Sequence, residues 1–475
     1  MKHRIALWGI AAAFCALPFV SSCTKEDNGD NHYPVNAVTS DSLMGIVSGG
    51  GQYRQGDVVK ITAYPMVGYE FFEWQDGSKE NPRMVDVQNV VYLTAYFRVK
   101  NEGVVLEHLP NEVSKDLVVK DLGLKIDYVI DSALVVKNGA LLTIEPGVTI
   151  EFANEKACII VEDGAALQMA GTPSQQIILQ GPIDNSNKGS WGFVEYRSDR
   201  MENVMTYVRF NNGGSDKDNA TLRLTEKASV AMQHCTMVGG LGVGISSYTA
   251  EGNPFRSFVS NKISNMDSYA MHISLPQINQ LGAGNSYPNN RNFILVSGDS
   301  VASGMVAFSS QGIPFLMESD LTVGDDGLLV IEAGTVIAFM QDKKLTVTPN
   351  GILQVNGTIS SLVSIKGMLD GVPGYWKGVD FQSNKNAFGG NRLQYCVING
   401  GGGDPEGACL TLGDDILLEM KNAQFFNSGA YGMKVRLNPL TAKVDGVYSE
   451  GIKFANNKLG NVYDATTNQT LPELP

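Results

Sequence analysis

Histidine, cysteine and tryptophan are all scarce in this chain. Five His, six Cys and four Trp are spread over 475 residues. So few imidazoles argue against a His-rich metal enzyme. The cysteines stand at 15, 23, 158, 235, 396 and 409. None forms a CxxC pair, and none lies near a His at zinc-finger spacing. The only close pair, His234–Cys235, is adjacent in sequence, and neighbours on a strand point to opposite faces. Cys158 and Cys409 open the apolar runs CIIV and CLTL, which marks them as small buried hydrophobes. Positive charge is short as well. Lys and Arg total 36 against 49 Asp and Glu, a net charge of −13. Charge attraction to nucleic acid or to an anionic membrane is therefore not expected. Apolar residues at helical spacing are almost absent.

Present instead are 52 glycines and many short alternating runs. Leu141–Phe152 (LLTIEPGVTIEF) alternates apolar with small or polar residues, breaks at a Gly, then resumes. That pattern predicts two short strands joined by a tight corner. Far downstream, Leu328–Phe339 (LLVIEAGTVIAF) echoes it. The echo extends in both directions. Tyr128-Val129-Ile130 answers Phe315-Leu316-Met317, Trp191-Gly192 answers Trp376-Lys377-Gly378, and Tyr207–Asn211 answers Tyr395–Asn399. A long β unit has been duplicated, with copies at about 128–246 and 315–433. A finer period runs within each copy, from Gly139 to Gly164 in the first and from Gly327 to Gly351 in the second. Short strands and Gly corners at that period predict a solenoid whose turns stack into one core. A propeller, with four strands per blade, ranks second.

The two organising stretches, each followed by G-x-L, then G-T, then a W-G or W-x-G step, resemble the right-handed parallel β-helix family of pectin-lyase-like fold. The resemblance covers most of residues 105–460 and implies fold far more than function. Enzymes of that fold that cleave acidic polysaccharide carry clustered Asp for calcium with an Arg or Lys, or paired Asp for hydrolysis. No convincing set of that kind is visible. Asp325-Asp326 and Asp414-Asp415 are adjacent, so they read as turns, and Asp199-Arg200 sits in a polar loop.

The N-terminus reads as an address. Lys2, His3 and Arg4 precede an apolar run at Ile5–Val20, too short to span a bilayer comfortably and right for a signal peptide. Val20-Ser21-Ser22-Cys23 resembles a bacterial lipobox, which implies a lipid on Cys23 and a membrane anchor without a transmembrane helix. Thr24-Lys25-Glu26-Asp27 resembles the surface-export signal of Bacteroidetes lipoproteins. The expected division is a signal peptide at 1–22, a disordered tether at 23–40, a small β module at 41–99 and the solenoid at 103–470. In the module, Gly49-Gly50-Gly51, Tyr53, Gly56-Asp57, Gly68-Tyr69, Trp74, Asp76-Gly77, Asn81-Pro82 and Ala95-Tyr96-Phe97 resemble the divergent InlB B-repeat family. That implies a β-grasp-like spacer with no catalytic residue. Trp74 is expected in its core rather than as a sugar platform.

Several residues remain as candidate sites. Asp216 and Asp218 align with Asp404 and Glu406, two acids after a Gly-rich turn in each copy. They form either a calcium or ligand loop or a solvated turn. Trp191 and Trp376 either stack on sugar rings or pack a corner. Lys188, Arg197, Arg200 and Arg209 form a basic group that the second copy does not repeat. The fold class expected is all-β, a small β-grasp-like repeat module followed by a duplicated right-handed parallel β-helix solenoid. The function expected is that of a lipid-anchored, outer-membrane, surface-exposed protein that binds glycan or a surface partner without catalysis. No cofactor is expected, with calcium open. A polysaccharide lyase or glycoside hydrolase and a purely structural envelope component are the alternatives.

Overall fold

The computed structural model describes residues 31–66, 69–99, 107–215, 220–382 and 390–475. They fall in two compact units, residues 1–102 and 103–475. Cys23 and the signal and export motifs lie outside the described residues.

The smaller unit is a four-stranded and a three-stranded sheet. Its first strand is His32–Thr39, which the sequence reading places in the tether. This strand pairs antiparallel with Gly51–Arg54 and parallel with Val91–Val99. Its alternation explains the ordering, because Val35 is buried and Tyr33 and Ala37 pack on the same core. Trp74 is fully buried beside Phe71, with ring centroids 5.3 Å apart, and its Nε1–H donates to the Glu80 carbonyl at 2.8 Å. The Asn81 side chain accepts from the Ala63 N–H at 2.9 Å and donates to the Ala63 carbonyl at 2.8 Å. The motif residues Trp74 and Asn81 thus hold the module together.

The larger unit is a parallel β-solenoid of about 13 turns. In its first half each turn contributes one strand to each of three sheets, of seven, fourteen and six strands. Tyr128 is in register with Ile150, and Ala133 with Cys158, so each pair marks one turn. Alternation along each strand puts every second side chain inside. Ile150 and Phe152 are buried while Glu151 points out. A single hydrophobic core runs without a break from Leu109 to Val462. Several residues adopt left-handed backbone, notably Asn212 and Asn265 within strands and Asn289 in a turn, each with φ of 59°. Asn reaches this region at low cost because its short polar side chain bonds locally. One six-residue 3-10 helix, Leu275–Gln280, is the only helix among the described residues.

The two copies are out of step by one strand. Thr149–Phe152 belongs to the seven-stranded sheet, but its echo Val336–Phe339 continues the fourteen-stranded sheet. Cys158–Val161 lies in the fourteen-stranded sheet, and its echo Lys344–Val347 lies in a separate twelve-stranded sheet. The slip falls at the junction, where the 3-10 helix replaces a strand and Ser300–Phe308 runs beside Leu321–Glu332. Asp325 and Asp326 lie inside that long strand rather than in a turn. Gly324 and Gly327 flank them, and a Cβ on Gly327 would strike the Val301 carbonyl. Absent side chains thus let the two long strands pass close together, and Asp325 is satisfied by the Thr348 hydroxyl at 2.6 Å. Asp414-Asp415 does form a bend, with Asp415 at φ 55°.

Candidate functional site

The sequence-derived candidates separate. Trp191 and Trp376 are both fully buried and offer no face to a sugar. Trp191 stacks on Phe152 at 4.2 Å and Trp376 on Phe339 at 4.8 Å. Their indole N–H groups donate to the carbonyls of Asn211 at 2.7 Å and Asn399 at 2.8 Å. The ring fills a corner that the Gly-rich turn leaves open, so the stacking-platform reading is corrected to a packing role. Asp404 and Glu406 do not converge on a cation. Asp404 faces Lys377 at 3.4 Å and Glu406 faces Lys434 at 3.7 Å. Asp216 and Asp218 lie outside the described residues. No three His, Cys, Asp or Glu groups come together as a metal site among the described residues.

The basic group is also dispersed, because its members occupy different sheets and corners. Lys188 pairs with Asp267 at 2.5 Å and Arg197 with Glu195 at 2.5 Å. Arg200 pairs with Glu202 at 2.6 Å and donates to the Gly139 carbonyl at 2.7 Å and the Gly164 carbonyl at 3.4 Å. It clips neighbouring turns together. Cys158, Cys235, Cys396 and Cys409 are buried and unpaired, and burial pushes the last three thiols up to about 12. They are inert at neutral pH.

Of the four, Arg209 opens onto a concavity. It lies on the outer face of the seven-stranded sheet, in a groove of about 320 Å³ under the loop at residues 181–190. Gln180, Asn211 and Val238 are register neighbours along its floor. Pro182, Ile183 and Asn185 form the loop side, and Asn212 closes the end. Arg209 Nε donates to Asn211 Oδ1 at 2.9 Å, which fixes both groups. Asn212 Nδ2 donates to the Ser186 carbonyl at 3.1 Å, and Glu151 accepts from the Ile183 N–H at 3.0 Å. The loop is thus tied at both ends. Burial pushes the Glu151 carboxyl above the usual carboxylate range, Asp184 adds in the same direction, and the Ile183 N–H opposes both. In the second copy Ala338, Lys366, Val397 and Asn399 stand where Glu151, Gln180, Arg209 and Asn211 stand in the first.

A second polar cluster sits on the outer face of the fourteen-stranded sheet. His272 Nε2 lies 2.7 Å from Ser297 Oγ and 3.8 Å from a Glu318 oxygen, and Ser297 Oγ donates to Glu318. Tyr248 stacks on the imidazole at 3.9 Å. Burial lowers the His272 pKa while Glu318 raises it, and burial prevails. Sequence reasoning missed this cluster because its members come from four separate turns. It would also have needed the strand register to find the groove residues Gln180 and Asn211.

By its fold the larger unit is a parallel β-helix. Residues 114–197 match the family model described as a pectate-lyase like beta helix domain. Residues 35–101 match that of the divergent InlB B-repeat domain. Both agree with the resemblances carried by the motifs. No curated protein and no solved structure gives a match to the chain.

Proposed function

We propose that the chain is a non-catalytic glycan-binding protein and that the Arg209 groove takes an uncharged sugar chain. One observation carries this reading: the groove is lined mainly by planar polar side chains and carries a single charged group among the described residues, Arg209. Gln180, Asn185, Asn211 and Asn212 offer paired donors and acceptors to sugar hydroxyls. Pro182, Ile183 and Val238 offer apolar surface to the C–H faces of the rings. Arg209 is the one cation among the described residues that line the groove, and nearby Lys188 is neutralised by Asp267. A polyanionic chain would need more cations than that. The match to a pectate-lyase like beta helix domain supports a carbohydrate-related role. A lipid on Cys23, as the lipobox-like motif suggests, would hold the protein at the outer membrane with its grooves toward solvent.

Hydrolysis is the second reading, favoured by the raised Glu151 carboxyl with Asp184 nearby, since a general acid is prepared in that way. Two variants decide between them. Arg209→Ala should weaken glycan binding at least tenfold without lowering the melting temperature. Glu151→Gln should leave bound glycan intact, as in the wild type. Shortened products from the wild type that disappear in Glu151→Gln would replace binding by catalysis.

A further inference from the structure

We infer that the C-terminal part of the solenoid carries its own glycan site on a different sheet, so that the chain is bivalent. This rests on the glycan reading above. A concavity of about 450 Å³ lies on the outer face of the twelve-stranded sheet. Arg392, Glu419 and Tyr448 are direct register neighbours on three successive turns there. Arg392 is held by Asn356 Oδ1 at 2.6 Å and Gln354 Oε1 at 2.9 Å, so its guanidinium is oriented before any ligand arrives. Tyr448 is 59% exposed and also lines a neighbouring depression of about 260 Å³, so its ring stands as a ridge between two hollows.

By strand register the matching positions earlier in the solenoid are Val204, Ala231 and Ser257, none of which could hold a sugar in this way. The first groove is likewise missing from the second copy, where Lys366 and Val397 replace Gln180 and Arg209. The two grooves are therefore built on different classes of strand. The chemistry of the second groove fits the same ligand class. One guanidinium and one carboxylate balance in charge, amides flank them, and an exposed phenol ring supplies the stacking face for a pyranose. The two grooves are centred about eight turns apart, roughly 38 Å at about 4.8 Å per turn. A tetrasaccharide cannot bridge that distance, whereas two separate polysaccharide chains can be held at once. Linking two sites in one rigid body raises avidity for a multivalent surface without any new contact.

The test is the number of sites on the intact protein, by calorimetric titration with cellotetraose, xylotetraose, mannotetraose and maltotetraose. The wild type should take two molecules of the bound sugar. Tyr448→Ala and Arg209→Ala should each take one, and the double variant none. Glu419→Gln, a milder change, should weaken only the site that Tyr448→Ala removes. Wild type and single variants should differ in the same way in clouding a solution of the parent polysaccharide, because cross-linking needs both sites. A wild type with a single site that Arg209→Ala removes overturns bivalency and leaves the first groove standing. A single site lost in Tyr448→Ala but kept in Arg209→Ala overturns the first groove and bivalency together.

Discussion

Replacing Trp376 with alanine tests whether this residue packs the solenoid or serves a ligand. The side chain is fully buried, stacks on Phe339 at 4.8 Å with ring planes 7° apart, and donates to the Asn399 carbonyl at 2.8 Å. Truncating a buried Trp costs about 3–5 kcal/mol from lost transfer and cavity terms. Orphaning the Asn399 carbonyl adds about 1 kcal/mol or more unless water enters the cavity. A loss of about 4–6 kcal/mol is therefore expected. For a unit as long as residues 103–475, the unfolding entropy is roughly 0.8 kcal/mol/K, so the melting temperature should fall by about 6 °C. Urea titration and thermal melting followed by far-ultraviolet circular dichroism would measure both. Trp191→Ala should behave as a twin, since its stack and hydrogen bond are the same in kind. A cost below about 1 kcal/mol, typical of a surface substitution, would refute the packing argument. So would loss of glycan binding with stability unchanged.

Other predictions concern groups that the fold uses for itself. The folded-state pKa of His272 is lowered by burial, so the native state resists a proton that the unfolded chain accepts near pH 6.5. The stability contributed by neutral His272 is present above that pH and is lost as pH falls. His272→Gln should flatten the drop in melting temperature between about pH 7.5 and about pH 5 relative to wild type; an unchanged slope would remove His272 from the account. Arg200→Ala should cost about 1–2 kcal/mol in urea titration, because it releases Glu202 and the Gly139 and Gly164 carbonyls. Arg209→Ala, which frees only Asn211 at a groove rim, should cost within about 0.5 kcal/mol, and equal costs for the two would contradict the distinction.

Most of the architecture was legible because the strand signal is local. LLTIEPGVTIEF becomes Leu141–Ile144 and Thr149–Phe152, with the corner at Gly147 in left-handed backbone. Its echo ends the long strand Leu321–Glu332 and forms Val336–Phe339. The slip of one strand between copies was not legible, because it depends on which earlier turn each strand stacks upon. Asp325-Asp326 misled for the same reason. Two adjacent acids look like a turn until the parallel neighbour Ser300–Phe308 extends the strand through them. His32–Thr39 was missed because it follows a polar stretch and gains its order by pairing with the distant Val91–Val99 and with Gly51–Arg54. Burial decided the tryptophans: a Trp beside Gly fits either a platform or a corner, and only the stacked Phe152 and Phe339 distinguish them. Both grooves consist of register neighbours from successive turns, such as Gln180 with Asn211 and Arg392 with Glu419. Residues separated by a whole turn of chain leave no local motif to read.

The central claim is that this β-helix holds uncharged glycan without cutting it. The most direct measurement is a glycan-array screen of the wild-type protein, with and without calcium, followed by chromatographic analysis of each bound glycan after prolonged incubation. The account predicts binding to neutral chains, unchanged by removing calcium, with every glycan recovered at its starting length. Binding confined to polyuronates, or recovery of shortened chains, would contradict it.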